Sequence, residues 1–288
     1  MKKLFVILGL IGISLFFVPK ASAQNFFEEE TATVDGLYDE TATGVKAPMP
    51  IPSVREADVM WKKTIWREID FRQKMNHGFY YPEEPHKRLK NLYTVLKDAL
   101  SDPTTGVIAY KDETITGELV DPITWSEIVE KTTGMQTVNE YDDYGNIIGT
   151  KDVQSEMSAG DVKRCQIKEE WYFDRQRSQL LVKIIAICPI RMVERNDTYV
   201  PERLFWVPYD ENLRKVLADA PFFNRKNSAA RLSYDEVFLK RVFDSYIIRE
   251  DNVFDRNINE YAKGVEALYE SERIKQTIID YEQNLWEY

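Results

Sequence analysis

Histidine and cysteine are scarce in this chain, two of each in 288 residues. That leaves little room for multi-ligand zinc, iron–sulfur or histidine-based catalytic centres. Positive charge is short as well: 38 Lys and Arg stand against 48 Asp and Glu, a net −10. Coating nucleic acid or adhering to an anionic membrane needs a clustered basic excess, so neither is expected as the main activity. The common catalytic and nucleotide motifs are missing: no Walker A string, no G-x-G-x-x-G after a strand, no G-x-S-x-G elbow and no H-E-x-x-H. After the N-terminus no stretch approaches 18 consecutive apolar residues, so no membrane-spanning helix is expected there.

Hydrophobic residues make up 43% of the chain and aromatics 12%, enough to build a sizeable core. Residues 1–23 read as a secretory signal peptide. Lys2 and Lys3 form a positive n-region, Leu4 to Val18 is an apolar run too short to favour a span, and Ala21-Ser22-Ala23 is a small-x-small cleavage site. No cysteine lies near that site; a retained anchor is the alternative. Residues 24–52 form an acidic, proline-containing leader with Glu28-Glu29-Glu30 and Pro48, Pro50 and Pro52. It is read as flexible, or as an arm that orders on binding through Phe26, Phe27, Leu37 and Tyr38.

Ser53-Val54-Arg55-Glu56 has the form of a capping box. With Ala57, Trp61, Ile65 and Ile69 at helical spacing, it predicts a helix to about Met75. Further helices are expected after Pro85, at Thr124 to Lys131, from Asp210 to Ala218, after the second capping box Ser233-Tyr234-Asp235-Glu236, and over Val265 to Leu285. Thr137 to Gly149 reads as a hairpin.

Val162 to Met192 is the most informative stretch. Two β-prone runs flank Asp174-Arg175-Gln176-Arg177-Ser178. Pairing Asp174 with Gln179 sets Phe173 against Leu180, Trp171 against Val182, Glu169 against Ile184, Ile167 against Ala186 and Cys165 against Cys188. One face is then apolar except for Glu169. This register predicts a cross-strand disulfide between Cys165 and Cys188, with two buried free thiols as the alternative. The expected fold is α+β: a small antiparallel sheet built around a disulfide-linked hairpin and flanked by helices. Residues 53–230 would form the α+β core, with 231–288 a C-terminal helical region packed on it.

Site chemistry is sparse. His77, Glu83, Glu84 and His86 have loop-like spacing, so no metal centre is expected, nor any cofactor. The neighbours Glu169 and Glu170 could serve a periplasmic hydrolase or glycan-binding protein, although chance pairs are frequent among so many acids. Trp61, Trp66, Phe222, Phe223 and Arg225 are the candidate partner contacts.

Several long strings resemble one family. They are Phe222-Phe223-Asn224-Arg225-Lys226-Asn227, Arg231 to Phe243, Ser245-Tyr246-Ile247, and Glu250-x-Asn252-Val253-Phe254-Asp255-Arg256. Asp58-Val59-Met60-Trp61, Trp66-Arg67-x-Ile69-Asp70 and Tyr80-Tyr81-Pro82 agree with them. All are similar to the gliding-motility family GldN, also called PorN, of Bacteroidetes. The resemblance implies a non-enzymatic periplasmic subunit of the type IX secretion and gliding machinery. It further implies a ring built with an outer-membrane lipoprotein, GldK or PorK, beneath the outer membrane, and contact with the GldM or PorM motor subunit.

Overall fold

The computed structural model describes residues 46–86, 88–111, 118–141, 147–155, 157–195, 198–224, 227 and 232–285. The signal-like segment, residues 24–45 and Arg225 fall outside them. In chain order the strands are β1 (Val59–Asp70), β2 (Ala109–Tyr110), β3 (Pro122–Ile123), β4 (Gly134–Tyr141), β5 (Ile147–Ser155) and β6 (Val162–Asp174). They continue with β7 (Gln179–Arg195), β8 (Thr198–Arg203), β9 (Val207–Pro208), β10 (Pro221–Phe222), β11 (Leu232–Ser233) and β12 (Tyr246–Glu250). The helices are α1 (His77–Tyr80), α2 (Leu92–Ser101), α3 (Trp125–Thr132), α4 (Glu211–Asp219), α5 (Tyr234–Leu239), α6 (Ile258–Tyr261) and α7 (Val265–Asn284).

An antiparallel sheet in the order β12-β1-β6-β7-β8, with β9 also on β7, organises the molecule. The helix expected from Ser53 to Met75 is instead strand β1, preceded by a 3-10 turn at Glu56–Asp58. Positions 57, 61, 65 and 69 are four apart, a spacing common to one helix face and one strand face. The β-prone content, Val59, Trp61, Thr64, Ile65, Trp66 and Ile69, decides for the strand. β1 lies inside the sheet between β6 and β12 and is buried on both faces from Ile65 to Asp70, which erases the one-sided pattern of an edge strand.

The predicted hairpin exists as β6 and β7, but its cysteines are not joined: Cys165 and Cys188 are free, buried thiols. The expected register holds from Asp174–Gln179 to Glu169–Ile184. There Ile185 is an extra residue, and pairing resumes one step later with Lys168–Ala186, Ile167–Ile187, Gln166–Cys188 and Cys165–Pro189. The inserted residue is a β-bulge. Ile185 uses its carbonyl to accept from the Tyr209 amide at 2.8 Å. A one-step slip turns a side chain to the other face. Cys165 therefore packs with Ile69 and Ile167 beneath the helices, while Cys188 packs with Trp66, Ala186 and Trp206 on the reverse face. The α+β class with an antiparallel sheet and flanking helices stands; the disulfide link does not.

Local signals explain several helices. The Asp210 carboxylate accepts from the Leu213 amide at 2.9 Å, and the Ser233 hydroxyl accepts from Glu236 N at 3.3 Å, as N-caps do. Asn91 caps α2 by accepting from Thr94 N at 2.8 Å. The main core lies under α1, α2, α4 and α5, and a second cluster, with Ile65, Ile247, Ile274 and Ile278, lies under α6 and α7. Ile65 and Ile69 share one face of β1, so both clusters cover the same side of the sheet. The buried side chain of Asn76 binds the Asp70 and Asp244 carbonyls, each at 2.9 Å, and fastens the end of β1 to the approach to β12.

Candidate assembly surfaces

Three places in the fold bear on contacts beyond the core. The first is where the leader meets the body. Asp235, buried at the start of α5, accepts from Tyr209 Oη at 2.7 Å and from Arg214 Nε at 3.0 Å. The same pair grips the backbone of Met49: its amide donates to Asp235 Oδ2 at 3.0 Å, and its carbonyl accepts from Arg214 Nη2. Lys46 adds an ion pair to Glu236 at 2.9 Å. Burial by itself lowers the Arg214 pKa, but the hydrogen bonds and charge of Asp235 outweigh it and the net direction is up. The Glu236 carboxyl is held below its ordinary range, first by its bond to Lys46. Because both Met49 contacts are made to its backbone, the grip fixes the path of the chain without demanding a particular side chain.

The second is an aromatic cluster. Phe222 on β10 meets Phe79 of α1 edge-on at 5.2 Å and Tyr234 at 5.3 Å. A Cβ at Gly78 would sit 2.4 Å from Phe222 Cζ, so glycine is required for this close approach. Phe222 is half-buried in packing, whereas the next residue, Phe223, is 47% exposed. Trp61 is half-buried and stacks on Tyr281 of α7 at 4.8 Å. Trp66 is 4% exposed, with the Arg249 guanidinium 3.8 Å above its ring. Thus Trp66 is enclosed by the fold, Trp61 and Phe222 are partly open, and Phe223 faces solvent.

The third surface was missed in the sequence. At the C-terminal end Val253, Phe254, Tyr261, Val265, Leu268 and Tyr269 are all exposed. Val253 and Phe254 belong to one of the strings that carry the family resemblance. Their exposure had no local signal, because apolar spacing alone does not tell an inward stripe from an outward one.

The carboxylate pair separates on folding. Neighbouring strand residues point to opposite faces: Glu169 is fully buried against Arg241 and Trp171, and Glu170 pairs with Lys62 at 3.0 Å. Among the described residues no group of three or more His, Cys, Asp and Glu could hold a metal ion.

A family comparison matches residues 54–287, all six described strands of the main sheet and every described helix, to Gliding motility associated protein GldN. The chain belongs to the GldN family. As a GldN-family protein it is a non-enzymatic, periplasmic structural component of the type IX secretion and gliding machinery. No curated protein matches the chain. Among the described residues no helix is long and apolar enough to cross a membrane.

Proposed function

We propose that this GldN-family subunit works by assembly. Copies associate in a ring at the inner face of the outer membrane, held there by a GldK/PorK-like lipoprotein and touching a GldM/PorM-like motor subunit. Family membership over residues 54–287 is the observation that carries this proposal. Residues 1–23 would direct export, 24–52 would serve as the leader, and 53–230 and 231–288 would act as core and C-terminal region.

Solvent-facing apolar residues on an acidic molecule support protein contacts over nucleic acid. Of the side chains put forward, Phe223, Trp61 and Arg225 are the proposed direct contacts. Trp66 and Phe222 contribute by holding the surface in place. The test is co-purification. The protein is tagged at its C-terminus in its own host, membranes are extracted gently, and associated proteins are identified by mass spectrometry. Recovery of an outer-membrane lipoprotein together with a motor subunit supports the proposal. Recovery of the chain alone, under extraction that preserves other envelope complexes, contradicts it.

A further inference from the structure

We propose that a second copy of this chain covers the loop after β12, with Phe254 of one copy seated in the depression between α2 and α4 of the next. The inference rests on the assembly reading above and names a contact that joins neighbouring copies. The loop is held in one shape. The side chain of Asn252 accepts from the amides of Phe254 and Arg256, each at 3.1 Å. It also donates to the carbonyls of Glu250 at 2.9 Å and Arg256 at 3.0 Å. These four bonds fix the loop, yet the loop presents Val253 and Phe254 outward, 97% and 71% exposed. An aromatic ring on a backbone already fixed loses little freedom on binding.

The depression has a volume of about 340 Å³. Val95 of α2, Val216 of α4, Ala220 and Pro221 supply its apolar part. Charged side chains, among them Asp98 and Asp219, stand around these. An apolar hollow with a few polar groups at its mouth suits an aromatic side chain. Phe254 is exposed in its own copy and is no part of the lining, so a ring in this hollow comes from another copy. Two different surfaces of one chain then make a head-to-tail contact. Such a contact repeats from copy to copy and closes into a ring when the rotation allows, whereas a twofold contact stops at a dimer.

Charge favours the same pairing. The exposed Arg256 guanidinium lies 4.4 Å from the Phe254 ring centre. Stacking of this kind orients its planar donors and leaves their edge open to a carboxylate. The acids around it have other partners: Asp255 pairs with Arg249, Glu260 bonds Asn257, and Glu270 pairs with Arg273 at 2.6 Å. At the depression Asp98 pairs with Lys90 at 2.7 Å. Asp219, exposed at the end of α4, has no ion pair or side-chain hydrogen bond among the described residues. An oriented cation without a carboxylate thus flanks the projecting ring, and a carboxylate without a cation flanks the hollow. The remaining charges agree in sign, with exposed Asp251 on the loop and Arg88 and Lys90 beside the hollow.

The test places a benzophenone amino acid at Val253 in the full chain, beside Phe254 and without altering either charge partner. Two differently tagged versions are expressed together in the native host and illuminated in the envelope, and cross-links are mapped by mass spectrometry. The expected product carries both tags and joins position 253 to residues 88–98 or 216–221. Arg256→Asp or Asp219→Arg alone should lower its yield about fivefold, and the two together should restore most of it. Asp219→Asn, a milder change, should lower it less. Unchanged thermal unfolding curves show that these exposed variants fold. Cross-links confined to one chain, to lipid, to another protein or to other parts of the second copy overturn the proposal, as does a double variant no better than either single one. Wild-type rings in electron micrographs without this cross-link would refute the contact and leave the assembly reading standing; lone wild-type subunits would refute both.

Discussion

The Arg241 guanidinium donates to both carboxylate oxygens of the fully buried Glu169, at 2.8 and 3.2 Å. It does so from a backbone with φ of 53°, a left-handed conformation that an arginine rarely adopts. Its plane also lies 5.6 Å from the Trp171 ring centre and 5.4 Å from that of Phe243. Glu169 is a fully buried charge within the central hairpin, and Arg241, from just past α5, neutralises it. Arg241→Ala leaves a buried carboxylate without its cation and should destabilise the protein by about 3 kcal/mol in urea unfolding. Arg241→Gly loses the same pair but relieves the backbone, so it should cost about 1 kcal/mol less. Equal losses would show that the backbone conformation contributes nothing.

Both thiols should be silent in the folded protein and reactive once it unfolds without reductant. Burial pushes the Cys165 thiol well above its ordinary pKa, which suppresses the reactive thiolate further. The measurement is a thiol titration in native buffer and in denaturant. Two thiols per chain on unfolding are expected; none would mean that the cysteines are joined.

Alanine at the two adjacent phenylalanines should separate packing from assembly. Phe222→Ala removes a ring wedged between Gly78, Phe79 and Tyr234 and should destabilise by about 3 kcal/mol. Phe223→Ala removes an exposed ring and should leave stability within about 0.5 kcal/mol, while weakening recovery of partners. Denaturant melts paired with co-purification read both effects.

Acid should unfold the protein through particular carboxylates. At Asp70, burial raises the pKa, but hydrogen bonds from Arg72 outweigh it and the net direction is down. At Glu236, the bond to Lys46 leads a net lowering. A group with a depressed folded pKa stabilises fully above its unfolded pKa, about 4 for these acids. That contribution is lost as pH falls through the lower, folded value. Stability should therefore be flat near neutrality and decline below about pH 4. Asp70→Asn and Glu236→Gln should each flatten the decline in pH-dependent melts; an unchanged slope would exclude those groups.

Legibility in the sequence followed the range of the interaction. Asp210 and Ser233 announce their helices because a cap acts over three residues. The α7 helix, Val265–Asn284, has no side-chain cap and is legible instead from the helical spacing of Ile274, Ile278 and Tyr281. The hairpin register is readable as far as Glu169, since alternation is local. The bulge at Ile185 is not, because its cause is a carbonyl engaged by Tyr209, a residue outside the hairpin. β1 was misread because four-residue spacing serves both periodicities and its neighbours bury both faces. The helix begun at Ser233 stops at Leu239, and Tyr246–Glu250 becomes strand β12 beside β1; only the sheet supplies a reason for that change. Of the assembly surfaces, Phe223 was named from sequence. The outward-facing Val253 and Phe254 were not, since apolar residues in a loop carry no local sign of which way they face.

Assembly is the central claim, and direct imaging of the protein extracted from its own envelope tests it most directly. The tagged complex would be examined by electron microscopy without chemical cross-linking. The account predicts closed rings containing many copies of this chain. A homogeneous population of single subunits, from membranes in which other large envelope complexes survive, would contradict it.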